Sequence, residues 1–220
     1  MKQYIAPHKT LIVGNGERPP IKTLLAYRKH APRLLALDGA GDWLMQHDIR
    51  PDAIIGDLDS LSDRTLKDIP IIQVHDQNSN DLEKALYYCL ENHYRDVTIM
   101  GAFGLRIDHF LTNIYVLKQF APHLSINMVD EHQCAFICPK KQLLTFDNLL
   151  GAYISFFPLN DEVGPITSTG VLYPLSSEIL SLNHRIGTLN RINETRATLY
   201  CEQGSLLVVV PQIFLPAGPI

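Results

Sequence analysis

The chain has 220 residues, 46% of them apolar and 19% charged, and a net charge of −4, which suits one large domain or two small ones built around an ordinary core. The acidic balance argues against a nucleic-acid binder, and no apolar run approaches the roughly 20 residues of a membrane-spanning helix. Met1 to Lys9 holds no signal-peptide core, and the four cysteines (89, 134, 138 and 201) form no CxxC pair, so the expectation is a cytoplasmic protein with reduced, buried thiols.

Up to about residue 130, short apolar runs alternate with helix-period segments. Strands are expected over Thr10–Val13, Leu34–Leu37, Ala53–Ile55, Ile71–Val74, Val97–Met100 and Ile126–Val129. The clearest helix is Asp81–His93, where Leu82, Ala85, Leu86, Cys89 and Leu90 make one apolar stripe. Asn80 is placed to cap it, with Glu83 completing a capping-box pair. A second helix starts near Ile107 and carries Phe110, Leu111, Ile114 and Leu117. Trp43 is expected to pack a helix against the sheet. Alternation of this kind implies a mainly parallel sheet with helices on both faces.

Beyond about residue 132 the helical period is lost. Gln133–Cys138, Leu143–Phe146, Ala152–Phe157, Ala197–Cys201 and Ser205–Val210 read as strands separated by turns, among them Pro158 to Gly164. The chain therefore divides near 130 into an α/β half and an all-β half of sandwich type.

Ligands of open α/β sheets bind outside the carboxyl ends of the strands, and each of the first five strands ends suggestively. The ends are Gly14-Asn15-Gly16, Asp38-Gly39-Ala40, Gly56-Asp57-Leu58-Asp59-Ser60, His75-Asp76-Gln77 leading to Asn80-Asp81, and Gly101 through Arg106 to Asp108-His109. Asp57 and Asp59, two apart in extended chain, point to one face about 6–7 Å from each other. Carboxylates that close repel unless a cation lies between them, and a hard divalent ion on oxygen ligands is the usual solution. Arg106 in a glycine-rich loop suits phosphate. Gly14 and Gly16 lack the third glycine of a dinucleotide fingerprint and the ending of a P-loop.

In this order the blocks resemble the thiamine pyrophosphokinase family. The resemblance rests on Asp38 to Leu44, Pro51 to Ser60, Asp76-Gln77 through Asn80 to Leu86, and Gly101 to His109 with Asn113. Weaker echoes are Thr169 to Leu175 and Asn193-Glu194. It implies transfer of a diphosphate from ATP to thiamine, giving thiamine diphosphate and AMP, by a homodimer. It implies an ATP-binding catalytic domain over residues 1–130 and a β-sandwich domain for thiamine binding and dimerisation over 131–220. It also implies Mg²⁺ on Asp57, Asp59 and Asp81, catalysis by these three with Arg106, ATP contacts from Asp38, Gln77, Arg106 and Asp108, and thiamine contacts from Gln77 and Asn193. Two departures stand out. Asn80 occupies the place of the family's usual Thr, and Ile192 replaces the Ser of its late Ser-Asn-Glu. Some members stack the thiamine ring on a late Trp, but the single Trp here is Trp43, which leaves a Tyr or Phe such as Tyr173 for any such platform. Two other activities fit parts of the pattern: a diphosphokinase for another hydroxyalkyl heterocycle such as a pterin, and a DxD nucleotide-sugar glycosyltransferase.

Overall fold

A computed structural model describes residues 2–3, 9–57, 61, 69–74 and 78–212. The chain opens with the two-residue strand β1 (Lys2–Gln3). There follow β2 (Thr10–Val13), α1 (Ile21–Arg28), β3 (Arg33–Leu37), α2 (Ala40–Gln46), β4 (Ala53–Gly56), β5 (Ile71–Gln73), α3 (Asp81–Glu91), β6 (Asp96–Met100), α4 (Ile107–Phe120) and β7 (Ser125–Val129). The remainder is all strand: β8 (Gln133–Ile137), β9 (Leu144–Asp147), β10 (Tyr153–Pro158), β11 (Val163–Thr169), β12 (Glu178–Leu180), β13 (Gly187–Arg191), β14 (Arg196–Cys201) and β15 (Leu206–Pro211). The described residues form two compact units, one within Pro7–Glu131 and one within His132–Phe214 together with β1.

In the first unit the strands lie in the order β7-β6-β2-β3-β4-β5, and their ladders are parallel. Thr10 to Val13 and Ala53 to Gly56 are buried at every position, as expected of parallel strands covered on both faces. This is why they read as continuous apolar runs. From β2 the chain steps outward to β3, β4 and β5, then returns through α3 to β6 on the other side of β2. Right-handed crossovers put α1 and α2 on one face and α3 and α4 on the other. The direction reverses between β2 and β6, which makes their carboxyl ends the switch point of the sheet.

Helix α3 buries Leu82, Ala85, Leu86 and Cys89 on its apolar stripe. Asn80 Oδ1 accepts from the Glu83 backbone N–H at 2.8 Å, so the cap is formed. Glu83 does not reciprocate, since its Oε1 takes Gln119 Nε2 at 3.0 Å. In α4 burial falls on Ile114, Val116, Leu117 and Phe120. Leu111, expected on that stripe, is 48% exposed, because the first turns of α4 border a cleft through His109 and Asn113.

The second unit contains one sheet in the order β1-β9-β14-β11-β12 and strands in the order β13-β10-β15-β8. Apart from β1 on β9 the pairings are antiparallel. Alternate residues of β10 and β14 are buried, the pattern of strands with one face in a core. Phe136, Leu144, Ile154, Phe156, Ile166, Leu199 and Val208 supply that core. Four strands were not foreseen. Lys2-Gln3 pairs with Leu144-Thr145 rather than joining the α/β half, and two residues are too few to show a period. In β11 the stretch read as a turn begins a strand instead, with a shift of register between Val163 and Ile166 that accommodates Gly164-Pro165. Strand β12 is only three residues long and β13 is mostly exposed, so hydrophobic alternation cannot mark them.

Candidate active site

A cleft of about 420 Å³ opens at the carboxyl ends of the parallel strands, with Gly14, Asp38, Asp57, Asp81, Lys84 and Arg106 among its walls. Its floor is two glycine loops set backbone against backbone. The Gly14 N–H donates to Met100 O at 2.7 Å and the Gly16 N–H to Gly101 O at 2.8 Å. A Cβ on Gly16 would stand 2.5 Å from Gly101 O, and one on Gly14 2.7 Å from the same oxygen. Glycine is needed here for close approach of two loops, rather than for a dinucleotide fingerprint.

The β3 end supplies Asp38, held at φ +42° and 6% exposed. Its N–H donates to Ile55 O at 3.1 Å and its carbonyl accepts from the Gly41 N–H at 2.9 Å. Its carboxylate Oδ1 is buried without a hydrogen-bond partner among the described residues. A buried, unserved acceptor is costly and calls for a donor or cation from a ligand. The neighbouring β4 end explains Gly56, since a Cβ there would lie 3.2 Å from the Asp38 Cβ. Asp57 follows and borders the cleft.

Asp81 opens α3 and Lys84 lies one turn on, its Nζ 3.2 Å from Asp81 Oδ1. The lysine is buried and the aspartate partly so. Burial pushes the Asp81 carboxyl above the usual range, Lys84 pulls it back, and Asp38 and Asp57 raise it further. Three carboxylates thus feel one another across the cleft, and Lys84 is the counter-charge built into it. Sequence reasoning passed over Lys84, because lysines seldom lie buried. The available signal was its i, i+3 spacing from a helix-opening aspartate.

Arg106 and Asp108 are exposed and paired, Arg106 Nε donating to Asp108 Oδ1 at 3.0 Å and Nη2 donating to Oδ2. The Arg106 hydrogen bonds, then the His109 backbone N–H, hold the Asp108 carboxyl down at about 2. Asn113 Nδ2 donates to Ala102 O at 2.9 Å and ties α4 to the loop that carries Arg106. Asn193 belongs to the second unit, where its N–H donates to Gly170 O at 3.0 Å and its side chain is exposed. Tyr173, also exposed, is fixed at its backbone by Asn190, whose Oδ1 accepts from Tyr173 N at 3.0 Å and whose Nδ2 donates to Tyr173 O at 2.7 Å. Asp59, Gln77 and the His75-Asp76 segment lie outside the described residues. Asp38, Asp57, Asp81, Arg106 and the neighbourhood of Asp108 are therefore gathered at one cleft.

Carboxylates and a guanidinium drawn together at the switch point of a doubly wound sheet suit an enzyme that handles a nucleotide or another phosphate ligand. Comparison with known proteins gives the family. Residues 24–129 match the model of the thiamin pyrophosphokinase catalytic domain, and 134–206 that of the thiamin pyrophosphokinase vitamin B1 binding domain. The thiamine pyrophosphokinase of Bacillus subtilis is 27% identical over 205 residues, covering 90% of this chain and 96% of its own. Thiamine pyrophosphokinase 1 of Oryza sativa is 25% identical over 178 residues, covering 74% of this chain and 66% of that one. Two crystal structures share the fold: the yeast thiamin pyrophosphokinase (TM-score 0.82, 16% identity, 96% of this chain and 90% of that one) and the B. subtilis enzyme (TM-score 0.79, 24% identity, 92% and 99%). The chain belongs to the thiamine pyrophosphokinase family.

Proposed function

We propose that the protein transfers the terminal diphosphate of ATP to the hydroxyethyl oxygen of thiamine, giving thiamine diphosphate and AMP. One observation carries this reading: Asp38, Asp57, Asp81 and Arg106 meet at a single cleft in a chain matched along most of its length by both domains of the family. The alcohol oxygen attacks the β-phosphorus, the bond from the β-phosphorus to the bridging oxygen breaks, and AMP leaves with that oxygen. The first unit is assigned to ATP and the second to thiamine.

Oxygen donors that repel one another suit magnesium, and the raised Asp81 carboxyl with the unserved Asp38 oxygen marks a cleft short of positive charge. Asp57, Asp59 and Asp81 are the residues that would hold the ion. Among the described residues no group of three or more His, Cys, Asp or Glu side chains closes into a metal cage. Magnesium commonly keeps several waters and shares its remaining positions between carboxylates and substrate phosphate. When bound, magnesium neutralises phosphate charge and draws electrons from the transferred group.

The chain's own groups do the remaining work. Arg106 is assigned to the charge that builds on the transferred diphosphate, with Asp108 holding its guanidinium in place. Lys84 keeps Asp81 ionised and oriented. Asp38 takes a hydroxyl donor of the nucleotide, and Gln77 and Asn193 take thiamine. The reading includes a homodimer in the cytoplasm. Exposed apolar side chains on the second unit, including Tyr153, Leu172, Tyr173 and Leu189, and four buried free thiols support those two points. The test is product analysis with Mg·ATP and candidate alcohols: AMP forming with thiamine supports the reading, and AMP forming only with a pterin alcohol, or ADP with any acceptor, refutes it.

A further inference from the structure

Arg18 stands just beyond the Gly14–Gly16 loop, partly buried, and its hydrogen-bond partners do not include a carboxylate among the described residues. Its Nη1 donates to Gly14 O at 2.9 Å, while its Nη2 donates to Asn15 Oδ1 and, at 3.4 Å, to Gly39 O. The guanidinium also lies over the Trp43 ring, 5.5 Å from its centroid. One side chain thus ties the loop after β2 to the loop after β3, next to Asp38, and rests on the first turns of α2. Partial burial of a cation among neutral acceptors is unfavourable, and desolvation lowers the Arg18 pKa accordingly.

The chemistry of the pair fixes the Asn15 amide. A guanidinium has only donors, so the atom facing it must be the amide oxygen. The NH₂ end of Asn15 then has no acceptor among the described residues, and Asn15 borders the cleft. Asn15 is exposed, so this oriented amide is open to solvent and to an anionic oxygen that enters the cleft.

We propose that Arg18 is a positioning residue, which acts through Asn15 to present a side-chain amide donor to the phosphates of the nucleotide and to fix the spacing of the β2 and β3 loops. The inference rests on the assignment of ATP to this cleft. Because Trp43 is the single tryptophan of the chain and touches Arg18, its emission reports on the same contact.

The experiment compares wild type with Arg18→Met, Arg18→Lys and Asn15→Asp, by steady-state kinetics, thermal melts and titration of Trp43 fluorescence with Mg·ATP. Asn15→Asp keeps an oxygen for Arg18 but exchanges the donor for a carboxylate. Its KM for ATP should rise about tenfold or more, with the KM for thiamine unchanged and melting no lower than wild type. Arg18→Met should show the same selective rise in KM for ATP and a fluorescence titration moved to higher ATP. Arg18→Lys should fall between, since one ammonium cannot serve three spread acceptors. If Arg18→Met does not fold, Asn15→Asp decides. An unchanged KM for ATP in Asn15→Asp, or a loss of kcat that merely follows a loss of folded protein, overturns the proposal. A wild type that takes up no Mg·ATP by calorimetry overturns the assignment of the cleft, and this inference with it. Normal uptake without turnover of thiamine removes only the acceptor, leaving the Arg18 result readable from ATP binding.

Discussion

The Lys84 ammonium lies 3.2 Å from the Asp81 carboxylate, one turn along α3, with the lysine side chain 4% exposed and the aspartate 32%. The two members of this pair are not equivalent. Removing the aspartate strands a buried cation, whereas removing the lysine leaves a carboxylate that still reaches water.

Asp81→Asn should therefore destabilise the fold by about 1–3 kcal/mol, the cost of an uncompensated buried group, and Lys84→Met by less. Urea unfolding of both variants measures the difference. Equal losses, or a larger loss in Lys84→Met, would show that the pair is not desolvated as described. Both variants should lose most of their turnover.

The pH profile follows from the same contact. Burial raises the Asp81 carboxyl and Lys84 lowers it. Without Lys84 the carboxyl takes up its proton at a higher pH, so the acid limb of kcat/KM should move upward in Lys84→Met. Asp108 cannot produce that limb, because Arg106 holds it down at about 2 and it stays ionised throughout the working range. An acid limb that stays in place in Lys84→Met would remove Asp81 from the essential groups.

Arg106→Ala should lower kcat by about 10²–10³, as for loss of a donor to developing charge, without lowering the melting temperature. Its side chain is 70% exposed, and among the described residues its hydrogen bonds go to Asp108. Asp108→Asn should reduce kcat less, because the guanidinium remains but loses its partner. A variant at 106 with normal kinetics would exclude the arginine from the reaction.

Gly16→Ala forces a Cβ to within 2.5 Å of Gly101 O, with backbone on both sides. The expected cost is about 1–3 kcal/mol of overpacking, together with weaker ATP binding, since the loops of β2 and β6 must part. Retained ATP affinity in a destabilised Gly16→Ala would separate the glycine contact from the ligand site.

The four cysteines should be silent to a thiol reagent at pH 8 until the protein unfolds. All are buried; burial pushes the Cys89 thiol up to about 12, leaving almost no Cys89 thiolate at that pH, and raises the thiols of Cys138 and Cys201 as well. Rapid labelling of native protein would contradict the burial.

The parallel sheet was legible because its strands are buried on both faces and read as short apolar runs closed by glycine or aspartate. The same runs located Asp38, Asp57 and Asp81 at strand and helix ends. The Asn80 cap was equally plain from local chemistry. What escaped notice was set by tertiary contact. Strand β13 is polar and lies at an edge, and β11 carries Gly164-Pro165 through a register shift and buries Ser168 as well as Ile166, so neither alternates apolar with polar residues. Lys84 and Arg18 look like surface cations in the sequence. Their importance lies in what they touch: Asp81 in one case, and in the other two carbonyls and an amide that come together only when β2 and β3 are neighbours.

The central claim is transfer of an intact diphosphate, and label position tests it most directly. With thiamine and Mg·ATP labelled separately in the α- and γ-phosphates, the γ label should appear in thiamine diphosphate and the α label in AMP. Asp57→Asn should abolish both while remaining folded. An α label in the thiamine product, or a γ label in thiamine monophosphate with release of ADP, would contradict the account.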